Sequence, residues 1–417
     1  MIRRREFLRT AGMGAAGLAL SPLFSLTESL EAAGMSIPSI KITRIKIHSI
    51  RQKLKVPIGY CCSRSRFGLT SMGASIIEVE TDQGITGWGD GSLGGVRQNP
   101  ELVIGRSPFE VEAIYDEMGG QGRDVSEPGG LDVAIWDIVG KALGKPICQI
   151  LGKQYRTRVM PYASAGYRKD WPDVAKGFAD EERYWSHEMG YRSVKMKTGY
   201  GPEEDVEYIG AVREAIGPQI KLGIDSGTPG IYDDGTAVGL GRQLEQFNLE
   251  YWEEPIEKYD LEGYDRLRNA VRIPLASGEA LPIDWVIKNY IQRQAIDIVQ
   301  PDISTSGFTG ARKINYASWV NRVRVMPHTW GTPVRIAATM HWAACIPQLN
   351  ERFINPPPVL IELHLPHESP VWELTEKRIE VDKKDGCIEV PTGPGLGITV
   401  IPEVLEKYLA GEVTVIS

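Results

Sequence analysis

Apolar and polar positions divide the chain into two patterns. Over residues 38–60 and 74–91 they alternate, the period of strands buried on one face. Within SIIEVETDQGITGWGDG (75–91) the alternation breaks at Asp82-Gln83-Gly84 and resumes, which predicts a hairpin. In GLDVAIWDIVGKALGKPICQILG (130–152) apolar residues recur at three and four, and Pro146 and Gly152 punctuate the end of a helix. Residues 37–157 therefore read as an α+β unit.

From Arg158 the pattern changes. RVMPYASAG, SVKMKTG, IKLGIDSG, EYWEEP, IPLASGEA, IDIVQPDIS, RVRVMPHTW and VLIELHL are eight short apolar runs, separated by seven stretches of helical periodicity. The repeat is roughly 25 to 35 residues, the length of a βα unit. Eight parallel strands in one stretch (158–384) predict a closed α/β barrel. No GxGxxG follows any of the runs, which argues against a doubly wound sheet. The stretch DGCIEVPTGPGLGITV (385–400) reads as a hairpin too late for the barrel, and 385–417 is expected to return to the first unit.

Composition adds limits. The 417 residues carry a formal charge of −7, which argues against nucleic acid or an anionic membrane as partner. Cys61, Cys62, Cys148, Cys345 and Cys387 show neither paired nor metal-ligand spacing, so zinc held by thiolates is excluded. The N-terminus stands apart. RRREFLRT is followed by AGMGAAGLALSPLFSL, too short and small-sided for a membrane span and suited to an export signal. Arg4-Arg5-x-Phe7-Leu8 resembles the twin-arginine signal of bacteria, so residues 1–33 are expected to direct a folded protein to the periplasm and to be cut near Ala33. After removal no membrane attachment is expected.

Barrel enzymes place their chemistry at the C-terminal ends of the strands. Here those ends carry Lys195 and Lys197, Asp225, Glu253, Glu279, Asp302, His328 and Glu362. Each alone has an ordinary structural reading: edge charge for the lysines, a helix cap for Asp302, an ion-pair partner for Glu362. As an unbroken series at barrel spacing they ring one mouth. Asp225, Glu253 and Glu279 on consecutive strands are expected to converge on a cation, and hard oxygen ligands select Mg²⁺, with Mn²⁺ as substitute. Lys195 and Lys197, two apart on a strand, point the same way, toward the metal and its anionic ligand. A carboxylate held there exposes its α-carbon to Lys197, whose pKa is expected to be lowered by Lys195 and the metal. Asp302 and His328 supply a second acid/base.

These residues resemble the enolase superfamily, in its mandelate racemase-like subgroup: KMK at 195–197, GID ending in Asp225, WEEP with Glu253, GE at Glu279, QPD at Asp302, PH at His328, and the flanking GLDVAIWDIVGKALGKP and PTGPGLGI. The resemblance covers about Ile37 to Ser417. It implies a modified (β/α)7β barrel under a capping domain (37–157 with 385–417) and a homo-oligomer. It also implies Lys195 on the substrate carboxylate, Lys197 as one base, the Asp302–His328 dyad as the other, and Glu362 bonding the substrate carboxylate. The family's enediolate chemistry is the expected reaction.

MPHTWGTPVRIAATMHWAACIP (326–347) resembles acid-sugar dehydratases and sugar-lactone cycloisomerases more than mandelate racemase. Arg64 and Arg66, in GYCCSRSRFGLTS (59–71), fall where the family places its specificity loop, and Trp330 is expected to line the pocket; His341 reads as structural. The expectation is a Mg²⁺-dependent dehydratase turning a sugar acid into a 2-keto-3-deoxy acid. Racemisation or epimerisation and lactone cycloisomerisation remain open within the fold. A catalytically idle sugar-acid binding protein and a metal-dependent hydrolase are the readings from other classes.

Overall fold

The computed structural model describes residues 26–32, 34, 36–59, 68–119, 127–227, 231–347, 359–364 and 370–417. The twin arginines, Cys61, Cys62, Arg64 and Arg66 lie outside the described residues.

Strands β1 (Ile42–Ile58), β2 (Leu69–Thr81) and β3 (Thr86–Asp90) form an antiparallel meander. Its second turn falls on Asp82-Gln83-Gly84, where Gly84 has φ 72°. The helix Gly129–Leu143 lies across this sheet and is buried from Gly129 to Gly140. Glycine permits that contact: a Cβ on Gly89 would stand 1.9 Å from the Gly130 carbonyl oxygen, and one on Gly87 2.1 Å from that of Ala134.

Eight parallel strands follow: β4 (Arg158–Ser164), β5 (Ser193–Lys197), β6 (Lys221–Asp225), β7 (Tyr251–Glu253), β8 (Leu275–Ser277), β9 (Ile298–Val299), β10 (Arg324–Val325) and β11 (Leu360–His364). Neighbours pair in chain order from β4 to β10, and β11 pairs with β4. The two ends of this path meet where Glu362 N donates to the Pro327 carbonyl (3.4 Å). Intervening helices start on residues that satisfy their first N–H groups. Asp173, Asp233, Asp260 and Asp302 accept from the first turn, and Pro202 and Pro333 occupy it without needing a partner. Tyr162, Tyr251, Ala276, Ile298, Met326 and Leu360 fill the barrel below its mouth.

The C-terminal stretch joins both units instead of forming a hairpin of its own. β12 (Ile388–Glu389) pairs antiparallel with β4 of the barrel, whereas Leu396 N donates to Asp137 of the long capping helix (2.8 Å) and β13 (Thr414–Ile416) pairs with β1. Residues 26–32, inside the segment read as a signal, form a helix whose Leu26 and Leu30 are buried in the core. No described helix is long and apolar enough to cross a membrane.

Candidate active site

Strand register builds the mouth. Lys197 of β5, Asp225 of β6 and Glu253 of β7 are successive Cα partners, one row across three strands. Lys195 sits one pleat below and pairs in register with Ser164 of β4; Glu362 of β11 stands opposite Tyr162. Both lysines are buried, at 1% and 8% exposure, as a shared inward face requires.

Buried ammonium groups need anions, and the partners are plain. Lys195 Nζ lies 3.0 Å from each of Asp225, Glu253 and Glu362. Burial opposes its charge, yet these carboxylates push its pKa well above the ordinary lysine value. Lys197 is paired with Asp225 and lies 5.5 Å from the centre of the Tyr167 ring. Against burial, Asp225 raises the Lys197 pKa too, whereas the expected lowering rests on a bound cation as well as Lys195. The reason is local: with Asp225 turned to Lys197, attraction outweighs the repulsion from Lys195.

His328 and Asp302 form the other wall, their backbones bridged in parallel. Asp302 Oδ2 is 2.6 Å from His328 Nδ1, and its Oδ1 accepts from Ser304 N (2.7 Å), so one carboxylate caps a helix and orients an imidazole. His328 Nε2 faces Glu279 (3.1 Å) and Glu362 (3.4 Å). Burial disfavours the imidazolium, but Glu279, Glu362 and Asp302 outweigh it and raise its pKa to about 10. Burial would raise the Asp302 carboxyl; Arg335 first, then His328, hold it at about 2.

Trp330 stands edge-on to Tyr167 with ring centres 5.6 Å apart, against Leu54, Ile58, Leu69 and Met72 of the capping hairpin. Several residues of the site carried no separate signal. Gln300, from the QPD motif used only for its aspartate, donates to Glu253 Oε2 (2.9 Å). Tyr162 lies under Lys195, and Glu254, at φ 45°, is buried and accepts from Ser277 Oγ (3.2 Å). Its motif, WEEP, was read for Glu253 alone.

Asp225, Glu253 and Glu279, expected to converge on a cation, each face a cationic side chain here. Among the described residues no three His, Cys, Asp or Glu side chains already frame a metal position. Asp225 and Glu253 bend to the lysines, and Glu279 bends to His328. The donor set still fits a hard divalent cation. Asp225, Glu253 and Glu362 surround Lys195, Asp225 also meets Lys197, and Glu279 and Glu362 face His328. Burial with Asp225 pushes Glu253 up to about 7; burial with Glu279 and Glu253 pushes Glu254 up to about 8. Burial first, and neighbouring carboxylates second, disfavour the ionised forms here, and all the ligating atoms are oxygens.

Residues 178–404 match the model of the enolase C-terminal domain-like family, and 65–152 that of the mandelate racemase/muconate lactonizing enzyme N-terminal domain. The chain is 32% identical over 384 residues to a D-galactarolactone cycloisomerase of Agrobacterium fabrum, covering 88% of this chain and 99% of that enzyme. It is 30% identical over 349 residues to an arabinonate dehydratase of Saccharolobus solfataricus, covering 79% and 89%. Among solved structures, the 3,6-anhydro-D-galactonate cycloisomerase of Zobellia galactanivorans superposes with TM-score 0.75 at 30% identity, covering 89% of this chain and all of that one. A barrel mouth carrying opposed lysine and histidine–aspartate walls, roofed by an antiparallel hairpin domain, thus has its relatives in one place: the chain belongs to the enolase/mandelate racemase superfamily.

Proposed function

We propose that the protein is a Mg²⁺-dependent lyase that dehydrates a sugar acid to a 2-keto-3-deoxy acid. The observation that carries this reading is the two-walled mouth. Lys195 and Lys197 line one side, the Asp302–His328 pair lines the other, and buried carboxylates lie between. Asp225, Glu253 and Glu279 would hold the cation, which when bound supplies positive charge that stabilises an enediolate. Taking Asp225 as a ligand would also release Lys197 from its present partner, restoring the lowered basicity that proton abstraction needs.

Lys195 would hold the substrate carboxylate by charge; Glu362, whose pKa Lys195 and His328 lower against burial, would bond it after taking up a proton. Lys197 or His328 takes the C2 proton, whose electron pair enters the enediolate. The opposite group gives a proton to the C3 hydroxyl, which leaves as water when the C2–C3 double bond forms. The resulting enol takes a proton at C3 and becomes the 2-keto acid. Trp330 and Tyr167 form an apolar wall against the substrate carbon chain.

Lactone cycloisomerisation is the second reading, favoured by the cycloisomerases among the relatives. It would share the first step, removal of a proton from the carbon next to a carboxylate, but the lactone ring oxygen would leave the adjacent carbon in place of water. Incubation with D-gluconate, D-galactonate, arabinonate and D-galactarolactone separates them. Accumulation of 2-keto acid from an open-chain acid supports dehydration; loss of the lactone alone, with none of the acids turned over, selects cycloisomerisation.

A further inference from the structure

Behind the dyad, Asp302 meets a second cation. Arg335, on the helix Pro333–Cys345, places Nη1 3.5 Å from Asp302 Oδ2, the oxygen that faces His328. The same nitrogen donates to the Trp330 carbonyl (2.5 Å), and Nη2 donates to Asp90 Oδ1 (2.7 Å). Asp90 ends β3 of the capping domain, is fully buried, and accepts from Thr332 N (2.8 Å) and Thr332 Oγ1 (2.7 Å) with its other oxygen. Charges therefore alternate along His328, Asp302, Arg335 and Asp90, from the mouth of the barrel into its roof.

The local sequence makes room for this line. A Cβ on Gly331 would stand 2.4 Å from Arg335 Nε. One on Gly91, next to Asp90, would stand 2.4 Å from the Ser304 carbonyl oxygen, two residues past Asp302. Ser92 N donates to that carbonyl (3.0 Å), so the end of β3 is fastened to the helix that Asp302 caps.

We propose that Arg335, seated by Asp90 of the capping domain, is a positioning residue for the His328–Asp302 dyad, so that docking of the roof and alignment of the acid/base group are one event. The proposal rests on the functional reading above for its catalytic consequence, but the geometry stands without it. Arg335 draws on the carboxylate that orients His328 and fixes the Trp330 carbonyl two residues beyond it. Neutralising Arg335 leaves Asp302 with His328 as its one cationic partner beside the Ser304 N–H, and strands Asp90 as a buried charge. Such outer partners typically change activity by about 10–100-fold when lost.

The substrate-independent test is the His328 Nδ1 proton. Shared with Asp302 at 2.6 Å, it should give a downfield ¹H resonance in the full-length protein, assigned by its loss in His328→Asn. Arg335→Met should shift or broaden it, Arg335→Lys should bring it part of the way back, and Lys197→Ala should leave it in place. Asp90→Asn/Arg335→Met removes the stranded carboxylate and serves if the single variant does not fold. With D-gluconate, D-galactonate or arabinonate as probe, Arg335→Met should lower kcat about tenfold or more with KM within about threefold, because Lys195 and Glu362 still hold the carboxylate. An unmoved resonance in a folded Arg335→Met or double variant overturns the proposal; so does a kcat equal to wild type. A responsive resonance in a protein that turns over none of the probes leaves the positioning role intact and counts against the dehydratase reading instead.

Discussion

Lys195 is the side chain on which the site's charge balance turns. It is the common counter-ion of Asp225, Glu253 and Glu362, all buried with it. Lys195→Met leaves those carboxylates facing one another and should destabilise the metal-free protein by about 3–5 kcal/mol. Added Mg²⁺ should recover part of that loss. The check is the melting temperature with and without Mg²⁺, which should rise further in Lys195→Met than in wild type; equal rises would mean that the cation does not bind among these carboxylates. Asp225→Asn should lower turnover at least about 100-fold, since it removes both a ligand and the present partner of Lys197. Retention of full activity by dialysed protein in excess EDTA would contradict the metal requirement. The strand-end residues were readable beforehand because each belongs to a chemistry-bearing type at a predictable place. Arg335 and Asp90 were not, because a contact spanning the two domains has no local pattern.

Among the elements, the helix Pro333–Cys345 serves the fold as much as the site. Its His341 is wholly buried, accepting from Cys148 N at Nδ1 (3.3 Å) and bonded at Nε2 to the Leu396 carbonyl (3.1 Å). It ties the barrel helix to the helical turn Ile147–Ile150 and to the C-terminal stretch as a neutral ring, the structural role read from its position. Burial lowers its pKa from 6.5 to about 4, the Leu396 bond opposing. The unfolded chain therefore binds more protons than the native one between those values. The associated stability, about 3 kcal/mol in full, is present above pH 6.5 and is lost as pH falls through 6.5 toward 4. Asp132, raised by burial to about 7, works in the opposite sense across the same window, so the comparison must be with a variant. His341→Gln should be less stable than wild type at pH 7 by about 2 kcal/mol, and its stability should fall less steeply on acidification. Denaturant unfolding at pH 7 and pH 5 checks this; parallel losses in both proteins would remove His341 as the cause. Strand lengths were harder to read than strand existence. β9 and β10 hold only two paired residues each.

At the scale of the whole molecule, the barrel was legible as eight apolar runs at βα spacing, and the roof as a broken alternation with one long helix. The C-terminal stretch was only half legible: glycine- and proline-rich sequence signals turns, and gives no hint that β12 would join the barrel before β13 joins the roof. The N-terminus poses a related question of boundaries. We propose export by the twin-arginine route, with processing before Leu26, since a cut at Ala33 would strip Leu26 and Leu30 from the core. Replacing Arg4 and Arg5 by lysine should hold the precursor in the cytoplasm, and the mature N-terminus, read by mass spectrometry, should precede Leu26. Export of the double variant, or a mature chain beginning after Ala33, would contradict these two statements respectively.

The central claim is that two opposed acid/base walls act on the carbon next to a bound carboxylate. It is tested most directly by following 2-keto acid formation from a panel of sugar acids in D₂O with Mg²⁺, for wild type, Lys197→Ala and His328→Asn. The account predicts a 2-keto-3-deoxy acid with one deuterium at C3 from the wild-type enzyme, and turnover abolished in both variants. Whichever wall abstracts the proton, the variant of the opposite wall should still exchange the C2 proton with solvent. Turnover unaffected by either substitution would contradict the account, as would wild-type interconversion of C2 epimers with no 2-keto acid formed.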